Sequence, residues 1–250
     1  MATLIGRELV VWVRFWPISI GGPAATSALF LAVFSLAIGP ARQTAEGAEV
    51  IPFMAPGLIA LALLQRAAET TTFSLMLRKL EGTIGELLVT PFVAGELAAS
   101  FLIAGTLAAL GTGAVVGVVV WLWTGTGIAQ PLVLLAFAAG GAGLMASFGA
   151  IVGLWADKWD HVAAVYTFLI VPIAFLSGVF APVTDLARPI ELAVRANPIY
   201  YAIDGLRAGW LGPDTATAPL ALSAAVVVAT NVAMWLAVRR LFAVGYKIRA

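Results

Sequence analysis

Three stretches of this 250-residue chain place charged or polar side chains where they could act on something. Arg66 and Glu69 stand three apart inside an apolar run, the spacing at which opposite charges pair on one helix face. A charge inside a membrane span costs at least about 2.5–3.5 kcal/mol on insertion scales, so such groups face the protein interior or a water-filled cavity. The pair therefore lines or gates a transport path, or it is a local pair that snorkels to water at the inner interface. Leu77–Glu96 (LRKLEGTIGELLVTPFVAGE) carries Arg78, Lys79, Glu81 and Glu86 beside Leu80, Ile84, Leu87 and Leu88 at helical spacing, with Pro91 ending the pattern. That predicts a short amphipathic helix, which either rests on lipid headgroups or docks in a groove on a soluble partner. Residues 178–211 (GVFAPVTDLARPIELAVRANPIYYAIDGLRAGWL) are too polar to cross a membrane and too apolar for an ordinary loop. Pro182 and Pro189 break the segment, two short helices are expected over 189–196 and 199–210, and Asp204 and Arg207 again stand three apart. Irregular backbone at membrane depth survives only when buried in protein or lining a cavity. A half-inserted helical pair meets that condition, and the competing reading is a surface loop with two amphipathic helices.

Several chemistries are excluded. Cysteine is absent, which removes disulfides and thiolate chemistry, and the single histidine, His161, sits among Asp157, Lys158 and Asp160 as solvated loop charge. No G-x-x-x-x-G-K-[ST] phosphate loop occurs, so the chain does not itself bind ATP in that way. Scattered acids and one histidine form no hydrolytic constellation. A net charge of +1 gives no field that would attract nucleic acid.

The elements that must position these residues are membrane spans. The chain is 62% hydrophobic and only 11% charged, where soluble domains carry about 25% charge. Five runs are long and apolar enough to cross: roughly Pro23–Ile38, Pro52–Phe73, Glu96–Trp123, Pro131–Trp155 and Ala218–Val238. A sixth, Val162–Phe180, is shorter and contains Pro172; it would be the fifth in chain order. The start of the chain lacks the layout of a cleaved signal. Gly6–Ile18 instead mixes Arg7, Glu8 and Arg14 with Trp12, Phe15 and Trp16, which predicts a helix on the cytoplasmic surface.

With the N-terminus inside and six spans, ten of the 14 Lys and Arg fall on the cytoplasmic side and four (Arg42, Arg188, Arg195, Arg207) outside. The positive-inside rule favours this orientation, with both termini cytoplasmic. All eight tryptophans lie near predicted membrane–water boundaries, as an aromatic belt requires and a mid-membrane sugar channel does not. Gly113–Gly117 and Gly149–Gly153 have helix-packing spacing, within the chain or across a dimer.

Three of these stretches carry a family resemblance. PFMAPGLIALALLQ (52–65), RKLEGTIGELLVTP (78–91), and FLSGVFAPVTDL with NPIYYAIDGLRAGWLG (175–186 and 197–212) together resemble the membrane permeases of the ABC type-2 transporter class. These are bacterial exporters of drugs, lipids and surface glycans, and the likeness covers essentially the whole chain. It implies an all-α integral membrane protein of the inner membrane with six spans. An elbow helix over 3–18 precedes them, a coupling helix lies over 77–91, and a re-entrant pair over 181–211 separates spans five and six. It implies a non-catalytic subunit that binds no cofactor, with two copies joined to two copies of a separate ATPase that holds ATP and Mg. Arg78, Lys79, Glu81, Gly82, Thr83, Glu86 and Leu87 would dock on that ATPase. Asn197, Pro198, Tyr200 and Tyr201 would form the outer gate beside Asp204 and Arg207, and the first, second and fifth spans would line the path. Leu80 stands where the family commonly has a further charge.

Rival classes predict other features. An ATP-independent carrier or channel would show inverted repeats and mid-membrane ionisable groups. A membrane enzyme would need an interfacial cluster of acids or histidines, and a scaffold would have no use for Arg66 and Glu69. Apolar span interiors and interface-bound tryptophans point to a lipid or amphiphilic drug as cargo rather than a long polysaccharide.

Overall fold

The computed structural model describes residues 1–38, 50–85, 93–170, 172–173, 176–179 and 187–247. These are helical with short connections, and no strand occurs among them. α1 (Ala2–Arg14) leads through a π-helical turn (Pro17–Gly21) into α2 (Gly22–Ile38). α3 (Val50–Leu80), α4 (Ala94–Thr124) and α5 (Pro131–Trp155) are the long helices of the centre. α6 (Trp159–Val165) continues as a π-helical turn (Tyr166–Ile170), followed by α7 (Arg188–Arg195), α8 (Pro198–Leu211) and α9 (Leu220–Val244).

Five stretches are long and apolar enough to span a bilayer: Pro17–Ala37, Ile51–Leu80, Ala94–Thr124, Pro131–Trp155 and Leu220–Val244. The five strongest expectations are thereby met, and α3 and α9 run about two turns beyond their expected ends. The shorter expected span, Val162–Phe180, coincides with α6 and its π-helical turn; residues 171, 174–175 and 180–186 lie outside the described part. The protein is thus an all-helical, multi-pass membrane protein with about five spans visible.

Local signals set the ends. α5 opens with Pro131 at its first position, where the missing N–H costs nothing. Gly125 ends α4 in the left-handed region (φ 67°), donating its N–H to the Trp121 carbonyl at 2.9 Å. Asn197 caps α8, its side-chain oxygen accepting from the Ile199 N–H at 3.0 Å, with Pro198 following. Two helices divided at Asn197–Pro198 are what the sequence predicts there.

α3 is the axis of the bundle. Its most apolar stretch is 78% buried, against 11% for Pro17–Ala37 and 17% for Leu220–Val244, so α2 and α9 lie at the periphery. At 31 residues α3 is about 46 Å long, well beyond the roughly 30 Å of hydrocarbon. It packs on α5, α4, α8 and α2. Gly149 and Gly153 of α5 meet the α3 backbone: a Cβ on Gly149 would stand 2.3 Å from the Ala68 carbonyl oxygen, and one on Gly153 2.9 Å from that of Thr72. Gly113 faces Leu63 and Gly117 faces Trp210, so both glycine pairs pack inside one chain.

Candidate functional site

The charged residues gather at three places on α3. At its last turn, Arg78 and Lys79 continue α3 itself, because nothing in the sequence interrupts the helix before Gly82 (φ 71°). Arg78 is buried and donates to Glu8 of α1 at 2.6 Å, with its guanidinium 5.5 Å from the Phe101 ring. Leu4, Glu8 and Trp12, four apart, form the inward stripe of α1, so this amphipathic helix buries an acid on its packed face. Trp12 lies over Gly111 of α4 and donates to the Thr112 hydroxyl at 3.2 Å, and that hydroxyl donates to the Ser19 carbonyl at 3.1 Å.

Lys79 donates to the carbonyls of Leu154 and Ala156 at 3.1 and 2.8 Å and to Asp157 at 2.7 Å. Lys247, just past α9, donates to the Trp155 carbonyl at 2.9 Å and to the same carboxylate. Two ammonium groups thus cap the C-terminal end of α5, where helix carbonyls lack partners and the dipole favours cations. Hydrogen bonds from Lys247 and then Lys79 pull the Asp157 carboxyl down to about 2. Beyond Lys79 the chain turns: Glu81 and Gly82 are exposed, Thr83 is half-buried in a 3₁₀ turn (Thr83–Gly85), and Glu86 and Leu87 lie outside the described residues.

Midway along α3, Arg66 pairs with Glu69 at 3.2 Å and donates to the Ile18 carbonyl at 3.0 Å. Both line two cavities: about 410 Å³ between α1 and α3, and about 260 Å³ between α2 and α3. A larger cavity of about 510 Å³, between α3, α4, α5 and α8, is walled by apolar side chains and glycines and includes no titratable group. Size and chemistry part company here, and the recognition chemistry lies in the two smaller spaces.

Near the start of α3, the guanidinium of Arg207 lies 4.0 Å over the Phe53 ring and donates to the Gly178 carbonyl at 2.6 Å. Asp204 accepts from the Thr217 N–H and hydroxyl at 3.0 and 2.7 Å and from the Ala218 N–H at 3.0 Å. The two side chains, at i,i+3 spacing, stand 4.0 Å apart, so each is held mainly by neutral groups. Asn197 donates to the Ser177 hydroxyl at 2.8 Å, Tyr201 donates to the Arg195 carbonyl at 2.9 Å, and Tyr200 is buried edge-on to Tyr201.

The structure therefore gathers Asn197, Pro198, Tyr200, Tyr201, Asp204 and Arg207 at one end, Arg78 through Thr83 at the other, and Arg66 with Glu69 between. Four partners escaped the sequence reading: Glu8, Asp157, Lys247 and Thr217. Glu8 alone had a local signal, an acid four residues from Leu4 and Trp12 on the apolar stripe. Among the described residues no group of three His, Asp or Glu could hold a metal ion.

A family profile described as "ABC-2 type transporter" matches residues 1–211. The inner membrane transport permease YadH of Escherichia coli K12 is 28% identical over 244 residues, 94% of this chain and 91% of YadH. Nodulation protein J of Rhizobium leguminosarum bv. trifolii is 28% identical over 214 residues, covering 82% and 79% of the two chains. Nodulation protein J of Rhizobium meliloti is 27% identical with the same coverage. Apolar helices and relatives of this kind make the chain a multi-pass protein of the inner membrane. With four fifths of its length matched, the chain belongs to the ABC-2 type transporter family, whose members are the non-catalytic membrane permease subunits of ABC transporters and normally pair with an ATPase subunit.

Proposed function

We propose that two copies of this chain join two copies of a separate ATPase, holding ATP and Mg, to form an ATP-driven exporter of a lipid or amphiphilic drug. The chain acts as one transmembrane domain of six spans with both termini in the cytoplasm. Val162–Phe180 serves as the fifth span and 181–211 as a re-entrant pair closing the outer side around Asn197, Pro198, Tyr200, Tyr201, Asp204 and Arg207. Arg66 and Glu69 line the path.

The observation that carries this reading is the joinery at the last turn of α3. Arg78 is tied to α1 through Glu8, and Lys79 to the end of α5, which Lys247 ties to α9. A load applied just beyond Lys79 therefore reaches four helices at once. In this reading Arg78 and Lys79 root the coupling segment 77–91. Glu81, Gly82, Thr83, Glu86 and Leu87 present it to the ATPase, and Glu81 and Gly82 are already exposed. Closure of the ATPase pair on ATP would push this segment and tilt α3, the axis on which the other spans pack.

Affinity purification from the native membrane, with ATPase assayed in the eluate, tests the proposal. A stoichiometric ATP-hydrolysing subunit is expected, and the double reversal Glu81→Lys, Glu86→Lys releases it. An eluate without an ATPase in mild detergent would overturn the exporter reading.

A further inference from the structure

The cavity between α1 and α3 and the cavity between α2 and α3 share Ile18, Arg66 and Glu69 as lining residues. They differ in what else they offer. The first is walled by charged and aromatic side chains, among them Arg7, Trp12, Phe73 and Glu81; the second by Phe30, Leu58, Leu61 and Thr26. Together they have the shape of an amphiphile, polar at one end and apolar at the other, with an ion pair at the joint. Their volumes, about 410 and 260 Å³, fall in the range of small-molecule sites.

The guanidinium at the joint has spare capacity. One Nη is engaged by Glu69, the other by the Ile18 carbonyl, and both contacts fix its plane. Its Nε is buried with no hydrogen-bond partner, although a buried N–H without an acceptor is unfavourable. Arg66 therefore presents an oriented donor awaiting an acceptor, while Glu69 remains 29% exposed at the side chain and open to a cation. An anion alone would meet Glu69 at close range, and an apolar molecule would leave the Nε unsatisfied. The charged lining balances, with Arg7, Arg66 and Arg78 against Glu8, Glu69 and Glu81, which suits a ligand of no net charge.

We propose that the joined cavities bind a zwitterionic phospholipid-like amphiphile of the cytoplasmic leaflet, its phosphate on Arg66, its ammonium on Glu69 and one acyl chain between α2 and α3. The leaflet and the role as cargo rest on the exporter reading; the binding site does not.

The test is native mass spectrometry of the full-length protein, with whatever copurifies, equilibrated against equal amounts of phosphatidylethanolamine and phosphatidylglycerol in the absence of ATP. Phosphatidylethanolamine is expected to be retained roughly tenfold over phosphatidylglycerol, the discrimination that one charge-assisted contact supplies. Arg66→Gln should abolish most of the retention, and Glu69→Gln should keep lipid but erase the preference. Thr26→Trp fills the apolar arm from an exposed position without touching the ion pair, and it should reduce retention of both lipids. Preference for phosphatidylglycerol, or unchanged retention in Thr26→Trp, overturns the site even if Arg66→Gln fails to fold. Arg66-dependent retention with no ATPase in the preparation would sink the exporter reading and leave the site. An ATPase partner without such retention would do the reverse.

Discussion

At the Phe53 end of α3, Arg207 lies over an aromatic ring and donates to a carbonyl, while Asp204 takes backbone and hydroxyl donors from residues 217 and 218. At the Arg78 end, the cations reach carboxylates on other helices, Glu8 on α1 and Asp157 after α5. Both ends carry ionised groups, yet they hold them differently. The first uses charge to fasten irregular backbone, at Gly178 and Thr217, against the helices. The second uses charge to link separate helices whose ends have no other reason to meet. A site fastened through many neutral hydrogen bonds is fixed, whereas one built from single ion pairs can be let go one link at a time. That difference fits an end that must seal and an end that must respond.

Asp204 should therefore be the costliest charge to remove. Asp204→Ala deletes the acceptor for three donors and leaves buried Arg207 without a nearby anion, at about 3–5 kcal/mol. Asp204→Asn keeps an amide oxygen and loses less. Thermal unfolding in detergent, followed by size exclusion, measures both. Glu8→Gln at the other end removes one charge-assisted bond and should cost about 1.5–3 kcal/mol. Hydrogen exchange should rise in α1 and the last turn of α3 while α8 stays protected. If Glu8→Gln unfolds the chain more readily than Asp204→Ala, the contrast between the ends is wrong.

The sequence showed the two ends unequally. The division of α7 from α8 was legible because Asn197 and Pro198 are a cap and a first-turn residue, both local devices. The apolar runs marked the five spans for the same reason. Pairings at long range were not legible: Arg78 and Glu8 are 70 residues apart, Lys79 and Asp157 78, Lys247 and Asp157 90. The i,i+3 rule succeeded for Arg66 and Glu69 and was only nominally met by Asp204 and Arg207. Spacing gives proximity, but nearby neutral donors compete for a buried carboxylate, and the chain that brings Thr217 there lies past the end of α8. Hydropathy likewise ended the second span at Phe73, since it registers charge but not that Arg78 and Lys79 are satisfied by neighbours.

Between the two ends, α3 and α5 are held by contact alone. A methyl group on Gly149 would meet the Ala68 carbonyl oxygen at 2.3 Å and the Thr71 hydroxyl at 2.4 Å. Backbone cannot yield there without parting the helices, which also strains the 2.9 Å bond from Thr72 to the Gly149 carbonyl. Gly149→Ala should cost about 1–3 kcal/mol, as overpacking does. Gly113→Ala meets Leu63 Cδ1 at 3.0 Å, the tip of a flexible side chain, and should be milder. Equal effects on thermal unfolding would mean that α3 and α5 are no more rigidly joined than α3 and α4.

The smallest effect sharpens the comparison most, because only one end should feel it. Asp157 ordinarily titrates near 3.8 and is held at about 2 by Lys247 and Lys79. A carboxyl whose value is depressed on folding contributes above its unfolded value and loses that contribution as pH falls through the folded one. The tie between α3, α5 and α9 should thus be intact at neutral pH and weaken between about 4 and 2. The chain has no cysteine, so labels at Lys158→Cys and Tyr246→Cys report the distance across the tie without background. The distribution should stay narrow to about pH 4, then broaden, and Asp157→Asn should broaden it at every pH. Broadening centred near pH 4 would mean that the two lysines do not bear on Asp157, and the α5 end would then rest on helix dipole and packing alone.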